Sequence, residues 1–360
     1  MITQADIARE LGVSFRVVGA VLGQNSKTST IRVGAQTRQR VLRTAKRLNY
    51  RPHRQAQLLR GVKSGVIGII KPTSVLQSAM ETSFFASQAI QEAGYGLLVN
   101  ELLWDDQGLR RAVDSMLDAH VEGVLLAAGG VSRKTLPEVK RLIDAKIPLV
   151  SLAGTHLPSI PLVAPDHRQG MQDLAKHLLA IGHRKLTFAS PLSPAQMEEK
   201  VGATWDRWMG LREAVAAAAT DDVKITQIFC PREKDFTDIY ASGKEAGRQL
   251  LKSDQLPDVV LCSNDLLAVG VMSACKEATL RMPEDLAITG FDNAAIGRYV
   301  FPQLTSVAQP SEEVAKRAFA LLLKQIRREK IEVGERLIKV PCRLVIRTSC
   351  GALRQQATGK

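Results

Sequence analysis

Residues 3–22 read TQADIARELGVSFRVVGAVL, and this stretch decides the architecture of the N-terminus. Thr3 and Asp6 stand three apart, the spacing of a capping-box variant. The threonine hydroxyl satisfies a first-turn amide, and the aspartate sits at the positive end of the helix. Ile7, Ala8 and Leu11 then share one helical face. Gly12 ends that helix, and Ser14 is the expected N-cap of a second that runs to about Leu22. The second helix is expected to bury Val17, Val18, Val21 and Leu22, and to point Phe15, Arg16, Gly19 and Ala20 outward. A third, from about Ala35 to Asn49, buries Val41, Ala45 and Leu48. Two short helices joined by a tight glycine turn and packed on a third make a helix-turn-helix, which lays the start of its second helix in the major groove of DNA.

The charge agrees with that reading. The chain has 360 residues and a net charge of +13. Its first sixty residues hold twelve Lys or Arg against only Asp6 and Glu10, a net of +10, which leaves +3 for the other three hundred. A concentrated cation suits a polyanion, because each neutralised phosphate releases condensed counterions. A solubilising or membrane-surface tail is the bland alternative, but such a tail would lack periodic apolar residues. Arg16 is the natural base reader, since its fork matches guanine O6 and N7; the alternative is a phosphate clamp. Phe15 is placed to lie against a thymine methyl or a sugar.

Tyr50-Arg51-Pro52-His53 breaks the third helix, and RQAQLLRG at 54–61 spells one short helix ending on glycine. With these motifs the chain resembles the lac-repressor (LacI/GalR) family of bacterial transcription regulators. The resemblance runs through DIARELGVS, TRQRVLRTAKRLNYRP at 37–52 and QAQLLRG at 55–61, then through EAGYGLLVN at 92–100, IGHRKLTFAS at 181–190, NDLLAVG at 264–270 and MPEDLAITGFDN at 282–293. It implies that 50–63 is a hinge folding on DNA, with Leu59 wedged into a central base step and Ala56 packed beside it. An unstructured linker is the alternative. Thr3, Ser14, Arg38, Tyr50 and His53 join the implied DNA-facing set. The chain departs from the family at Val17-Val18-Gly19-Ala20, where a phosphate-contacting hydroxyl and a base-reading Arg or His are missing. The loop 23–36 is longer than usual, and its Lys27 and Arg32 are expected to restore phosphate contact.

Beyond residue 64, eight short apolar runs alternate with amphipathic stretches of ten to sixteen residues. The runs are 65–70, 97–99, 123–128, 148–152, 185–189, 224–229, 258–262 and 286–290. This predicts a helix-covered α/β architecture with parallel sheets, in two lobes holding a ligand at strand ends. The resemblance makes it a periplasmic-binding-protein-like (type I) effector-binding core. The expected organisation is a helix-turn-helix headpiece at 1–49, the hinge at 50–63 and the core at 64–360. Within the core, the N-lobe takes about 64–165 and 308–332, and the C-lobe about 166–305 and 335–350.

The same resemblance places effector contacts residue by residue. Arg207 becomes a bidentate donor in the cleft. Asn264 and Asp292 supply its amide and carboxylate, a set suited to sugar hydroxyls. Phe84, Phe85 and Trp208 (or Trp205) offer aromatic faces, and Asp166 and Gln309 lie at the rim. Strand-end capping is the alternative for Asp292 and Asn264, and core packing for Phe84 and Trp208.

Other classes fit poorly. The motifs G-x-G-x-x-G after the first strand, G-x-x-x-x-G-K-[ST], H-E-x-x-H and G-x-S-x-G are all missing, which argues against a nucleotide-binding α/β enzyme. Six histidines and five cysteines are scattered without metal spacing, so no metal or cofactor is expected, and the thiols read as reduced in the cytoplasm. An exported solute-binding protein would need a signal segment, which MITQADIARE does not resemble. No apolar run is long enough to span a membrane. The expectation is a homodimeric repressor on a pseudo-palindromic double-stranded operator, switched by a sugar-like effector; the tail GALRQQATGK has no leucine heptads for a tetramer.

Overall fold

The computed structural model describes residues 2–352 except 23–30, 51–62, 74–75, 103–105, 128–135, 154–158, 193–196, 198–201, 219–221, 231–237 and 254. Lys27, His53, Ala56, Leu59 and the proposed hinge helix lie outside the described residues. The chain divides into two compact units, Met1–Ser64 and Gly65–Lys360.

The first unit contains α1 (Gln4–Leu11), α2 (Phe15–Leu22) and α3 (Ala35–Arg47). Ile7, Ala8, Val18, Val21, Val41 and Ala45 form its core. Gly12 closes α1 in the left-handed conformation at φ 66°, and its N–H returns to the carbonyls of Ala8 and Arg9. Two expectations are corrected. Ala20 is buried, not outward, because with Val18 and Val21 it faces the packed side of a two-turn helix. Val17 and Leu22 are only half-buried. The third helix also stops at Arg47, and Asn49 takes a positive φ of 49° just beyond it.

In the second unit the chain runs β1 (Val66–Pro72), α4 (Gln77–Glu92), β2 (Gly96–Leu102), α5 (Asp106–Asp118), β3 (Gly123–Leu126), α6 (Leu136–Asp144), β4 (Leu149–Ser151) and β5 (Leu162–Asp166). It continues α7 (His167–Ala180), β6 (Lys185–Ser190), α8 (Gly202–Ala217), β7 (Lys224–Phe229), α9 (Ile239–Leu250), β8 (Val259–Cys262), α10 (Asp265–Glu277) and β9 (Ala287–Thr289). The return pieces are β10 (Ser306–Ala308), α11 (Ser311–Ile326), β11 (Leu337–Pro341) and β12 (Arg343–Val345). The first lobe is a six-stranded parallel sheet in the order β11-β5-β4-β3-β1-β2, and the second a four-stranded parallel sheet, β7-β6-β8-β9. Helices cover both faces, so β3 and β8 are buried at every position and read as unbroken apolar runs.

All eight predicted strands are present. The four missed ones are short or carry proline: β5 contains Pro165, β11 ends on Pro341, and β10 and β12 have three residues each. One lobe boundary also moves. The segment from 335 was expected in the C-lobe, but β11 pairs in parallel with β5, from Leu337 opposite Leu162 to Pro341 opposite Asp166, and completes the first sheet. The chain enters the second lobe only at Cys342.

The lobes are therefore joined by three crossings: after β5, through β10, and after β11. They meet at Gly170 on α7, where an added Cβ would lie 2.8 Å from Cys342 Cβ and 2.9 Å from Val307 Cγ1. Only glycine lets α7 seat against both of the other crossings.

Candidate nucleic-acid interface and effector cleft

On the headpiece, Thr3 and Asp6 form the expected capping box. Asp6 N donates to Thr3 Oγ1 at 3.3 Å, while Asp6 Oδ2 accepts from Thr3 N at 2.9 Å and from Thr3 Oγ1 at 2.7 Å. These bonds hold the Asp6 carboxyl below its ordinary range. Ser14 Oγ accepts from Val17 N at 3.3 Å and caps α2. Directly after that cap stand Phe15, 48% exposed, and Arg16, exposed and unpaired among the described residues. Both acids of the unit are matched by an arginine, Asp6 by Arg9 and Glu10 by Arg47. Arg32 is exposed and Arg38 half-buried. Tyr50 packs on the headpiece core, and its N–H donates to Ala45 O at 2.8 Å.

Between the lobes, strand ends and helix starts gather around Arg207 of α8. Its Nη2 lies 3.6 Å from Asp292 Oδ1, with both side chains almost wholly buried. Nη1 donates to the carbonyl of Ser263, and Nη2 lies 3.4 Å from His167 Nδ1. The guanidinium sits over the Phe291 ring, 3.9 Å from its centroid. Gln309 Nε2 donates to Asp292 Oδ1 at 2.5 Å and to Ser78 Oγ at 3.2 Å. From the first lobe, Gln77 Oε1 accepts from Ala295 N at 2.7 Å. Asp292 itself has φ 122°, a strained conformation for a non-glycine residue.

The electrostatics follow from burial. Desolvation pushes the Asp292 carboxyl up to about 7, against the opposing pull of Arg207. Asp265, which accepts from Ala294 N at 2.5 Å and Ser306 Oγ at 2.6 Å, is pushed up to about 6 for the same reason. Burial first, then Arg207 and Lys339, hold His167 well below the usual imidazole range, so it is neutral. Two buried polar atoms, Arg207 Nε and Ser263 Oγ, have no hydrogen-bond partner among the described residues. Burying a polar atom without a partner is costly, which makes these two candidate contacts for a ligand.

The profile of the periplasmic binding protein-like domain matches residues 175–350. Catabolite control protein A of Priestia megaterium is 29% identical over 355 residues, covering 97% of this chain and 99% of that protein. The HTH-type transcriptional repressor CytR of Escherichia coli K12 is 27% identical over 354 residues, covering 98% of this chain and 97% of that one. The crystal structure of the lac repressor dimer bound to operator and the anti-inducer ONPF matches with a TM-score of 0.81 at 21% identity, over 97% of this chain and 99% of that chain. Over nearly its whole length the chain is similar to transcription regulators of the LacI/GalR kind. The headpiece and the two-lobed core each have the fold seen in that solved structure, with parallel sheets in each lobe.

Of the expected cleft residues, the structure brings Arg207, Asp292 and Gln309 together. Asn264 adjoins them, but its Oδ1 accepts from Leu267 N at 2.9 Å as the N-cap of α10. Asp166 likewise caps α7, accepting from Gln169 N at 3.1 Å. Trp208 is corrected: it packs in the second-lobe core with its ring 5.7 Å from that of Phe188, because it follows Arg207 by one residue and so turns to the next helical face. Phe84 and Phe85 stand edge to face on α4 and do not join the cluster; Phe84 is 64% exposed and Phe85 packs on the first-lobe core. Sequence reasoning missed His167, Ser263 and Phe291, each beside a residue it named, and also Gln77 and Ser78, for which no sequence signal stood out.

Proposed function

We propose that this protein is a transcriptional repressor that binds a pseudo-palindromic operator as a homodimer and is switched by a small, hydroxyl-rich effector in the cleft. The Arg207–Asp292 pair carries the reading of the cleft. It offers a fixed fork of donors and a carboxylate acceptor, with the Phe291 face against the guanidinium and a spare hydroxyl at Ser263. A sugar or sugar derivative presents vicinal hydroxyls that both donate and accept, which suits that set. The names of the relatives, among them a transcriptional repressor, support a regulator rather than an enzyme.

The headpiece would read DNA through Phe15 and Arg16, with Arg32 and Lys27 on phosphates and Leu59 at the operator centre. A face for the second copy is supported by exposed apolar residues from both lobes. Met80 and Phe84 lie one turn apart on α4, and Ile296, Tyr299 and Phe301 follow the Ala295 amide that is bound to the start of α4. Tyr299 is 82% and Phe301 90% exposed, an unusual display for a monomer. Such a regulator works in the cytoplasm, on the nucleoid when operator-bound.

The test is selection of bound sites from a random duplex library by the purified protein. A two-fold symmetric motif with a central pyrimidine–purine step supports the whole reading. Salt-sensitive binding without any enriched sequence, with and without a panel of sugars, refutes it.

A further inference from the structure

We infer that Gln4 is a base-reading residue of the headpiece, acting over the position where the second helix carries Gly19. The inference rests on reading α2 as the groove-facing helix. On α2, Phe15, Arg16 and Gly19 fall on one face at helical spacings of three and four, while Val18, Ala20 and Val21 are buried. After Arg16, then, the next outward position of this helix has no side chain with which to touch a base.

What stands over that position belongs to α1. A Cβ built on Gly19 would have a single close neighbour, Gln4 Oε1 at 3.6 Å. The Gln4 side chain therefore lies across the face of α2 that presents Phe15 and Arg16. Gln4 is the first residue of α1, and the Thr3–Asp6 capping box fixes the backbone on which it stands. Its amide is half-buried and makes no hydrogen bond to any described residue. A surface glutamine pointing anywhere would be unremarkable. One that is anchored by a cap, laid over a glycine and left with a free carboxamide next to an unpaired arginine is placed for recognition. A carboxamide offers one donor and one acceptor side by side, the pattern that matches N7 and N6 of adenine in the major groove.

The experiment is bound-site selection with the full-length protein, its Gln4→Ala variant and its Gln4→Glu variant, with thermal unfolding of each to show that the headpiece is intact. The wild type is expected to select an adenine close to the guanine read by Arg16 in each half-site. Gln4→Ala should flatten the adenine preference, a loss of roughly 10- to 100-fold in discrimination at that position, and leave the guanine preference in place. Gln4→Glu should move the preference to cytosine, since a carboxylate only accepts and cytosine N4 donates. Unchanged motifs in both variants overturn the inference. So does an equal weakening on every sequence, which marks a phosphate contact. A wild type that enriches no motif overturns the reading of the protein as a sequence-specific regulator, and this inference with it.

Discussion

Replacing Asp292 with asparagine tests whether burial or the neighbouring arginine governs the cleft. The Asp292 carboxyl is buried at the end of a second-lobe strand, with Arg207, Asp265, Gln309 and Ser78 as its polar surroundings, and it is pushed from an ordinary 3.8 up to about 7. Below pH 4 it is protonated in both folded and unfolded chains and contributes no pH dependence. Between pH 4 and 7 the unfolded chain gives up the proton and the folded protein keeps it, so stability falls as pH rises, by about 1.4 kcal/mol per pH unit. Above pH 7 both states are ionised and the loss is complete. Over pH 5 to 8 the wild type should lose about 3 kcal/mol that Asp292→Asn does not lose. Asp265, pushed up to about 6, adds a similar slope of its own in both proteins and drops out of the comparison to first order. The assay is equilibrium urea unfolding of both proteins at several pH values, comparing the difference between them and not the absolute stabilities. Parallel pH profiles would refute the reasoning, because they would show Arg207 holding Asp292 ionised throughout.

Three further outcomes are expected. Arg16→Ala should cost about 1–3 kcal/mol on operator and much less on random DNA, measured by titration at fixed salt, whereas equal losses would assign it to phosphate. Gly170→Ala should destabilise the core by about 1–3 kcal/mol in urea unfolding, since its methyl group would press on Cys342 and Val307 where the crossings meet; a neutral variant would mean that α7 can retreat at no cost. Gln309→Ala should leave apo operator binding intact but weaken the response of operator affinity to effector, read by the same titration with and without the sugar that gives the largest wild-type response. An undiminished response would move the switch away from Asp292.

The sequence was most legible where periodicity is strong and the chemistry local. The Thr3–Asp6 box, the Gly12 stop and the Ser14 cap are all read within a few residues, and all are present. The eight apolar runs became strands, most plainly at β3 and β8, because a parallel strand buried on both faces is a continuous apolar word. β5, β10, β11 and β12 failed that test: β5 and β11 hold proline, and β10 and β12 pair as an antiparallel two-stranded ladder outside the parallel sheets. Ala20 shows a different limit. A two-turn helix has too few positions to fix from its own pattern which side an alanine faces, and Ala20 is buried. In the cleft, Arg207 and Asp292 were named through resemblance, yet Trp208, one residue on, faces the core. Gln77 and Ser78 come from another lobe altogether, and long-range partners of that kind leave no mark on local sequence.

The position of Asp292 constrains what any effector must do. Its backbone N–H donates to Val307 O at 2.8 Å in the β10 crossing, and its side chain accepts from Gln309, which also bonds Ser78 of the first lobe. One residue thus belongs both to the ligand cluster and to the connection between lobes. A ligand shifts a conformational equilibrium only by the difference in its affinity for the two states. A molecule that satisfied Arg207 Nε and Ser263 Oγ alone would complete the cleft without disturbing the Gln309–Asp292 bond, and would bind without switching. One that competes for the Asp292 carboxylate must break or re-aim that bond, and it would switch the protein only by as much as that cost differed between two lobe arrangements. Binding and switching are therefore separable here, with Ser263 on one side of the distinction and Gln309 on the other.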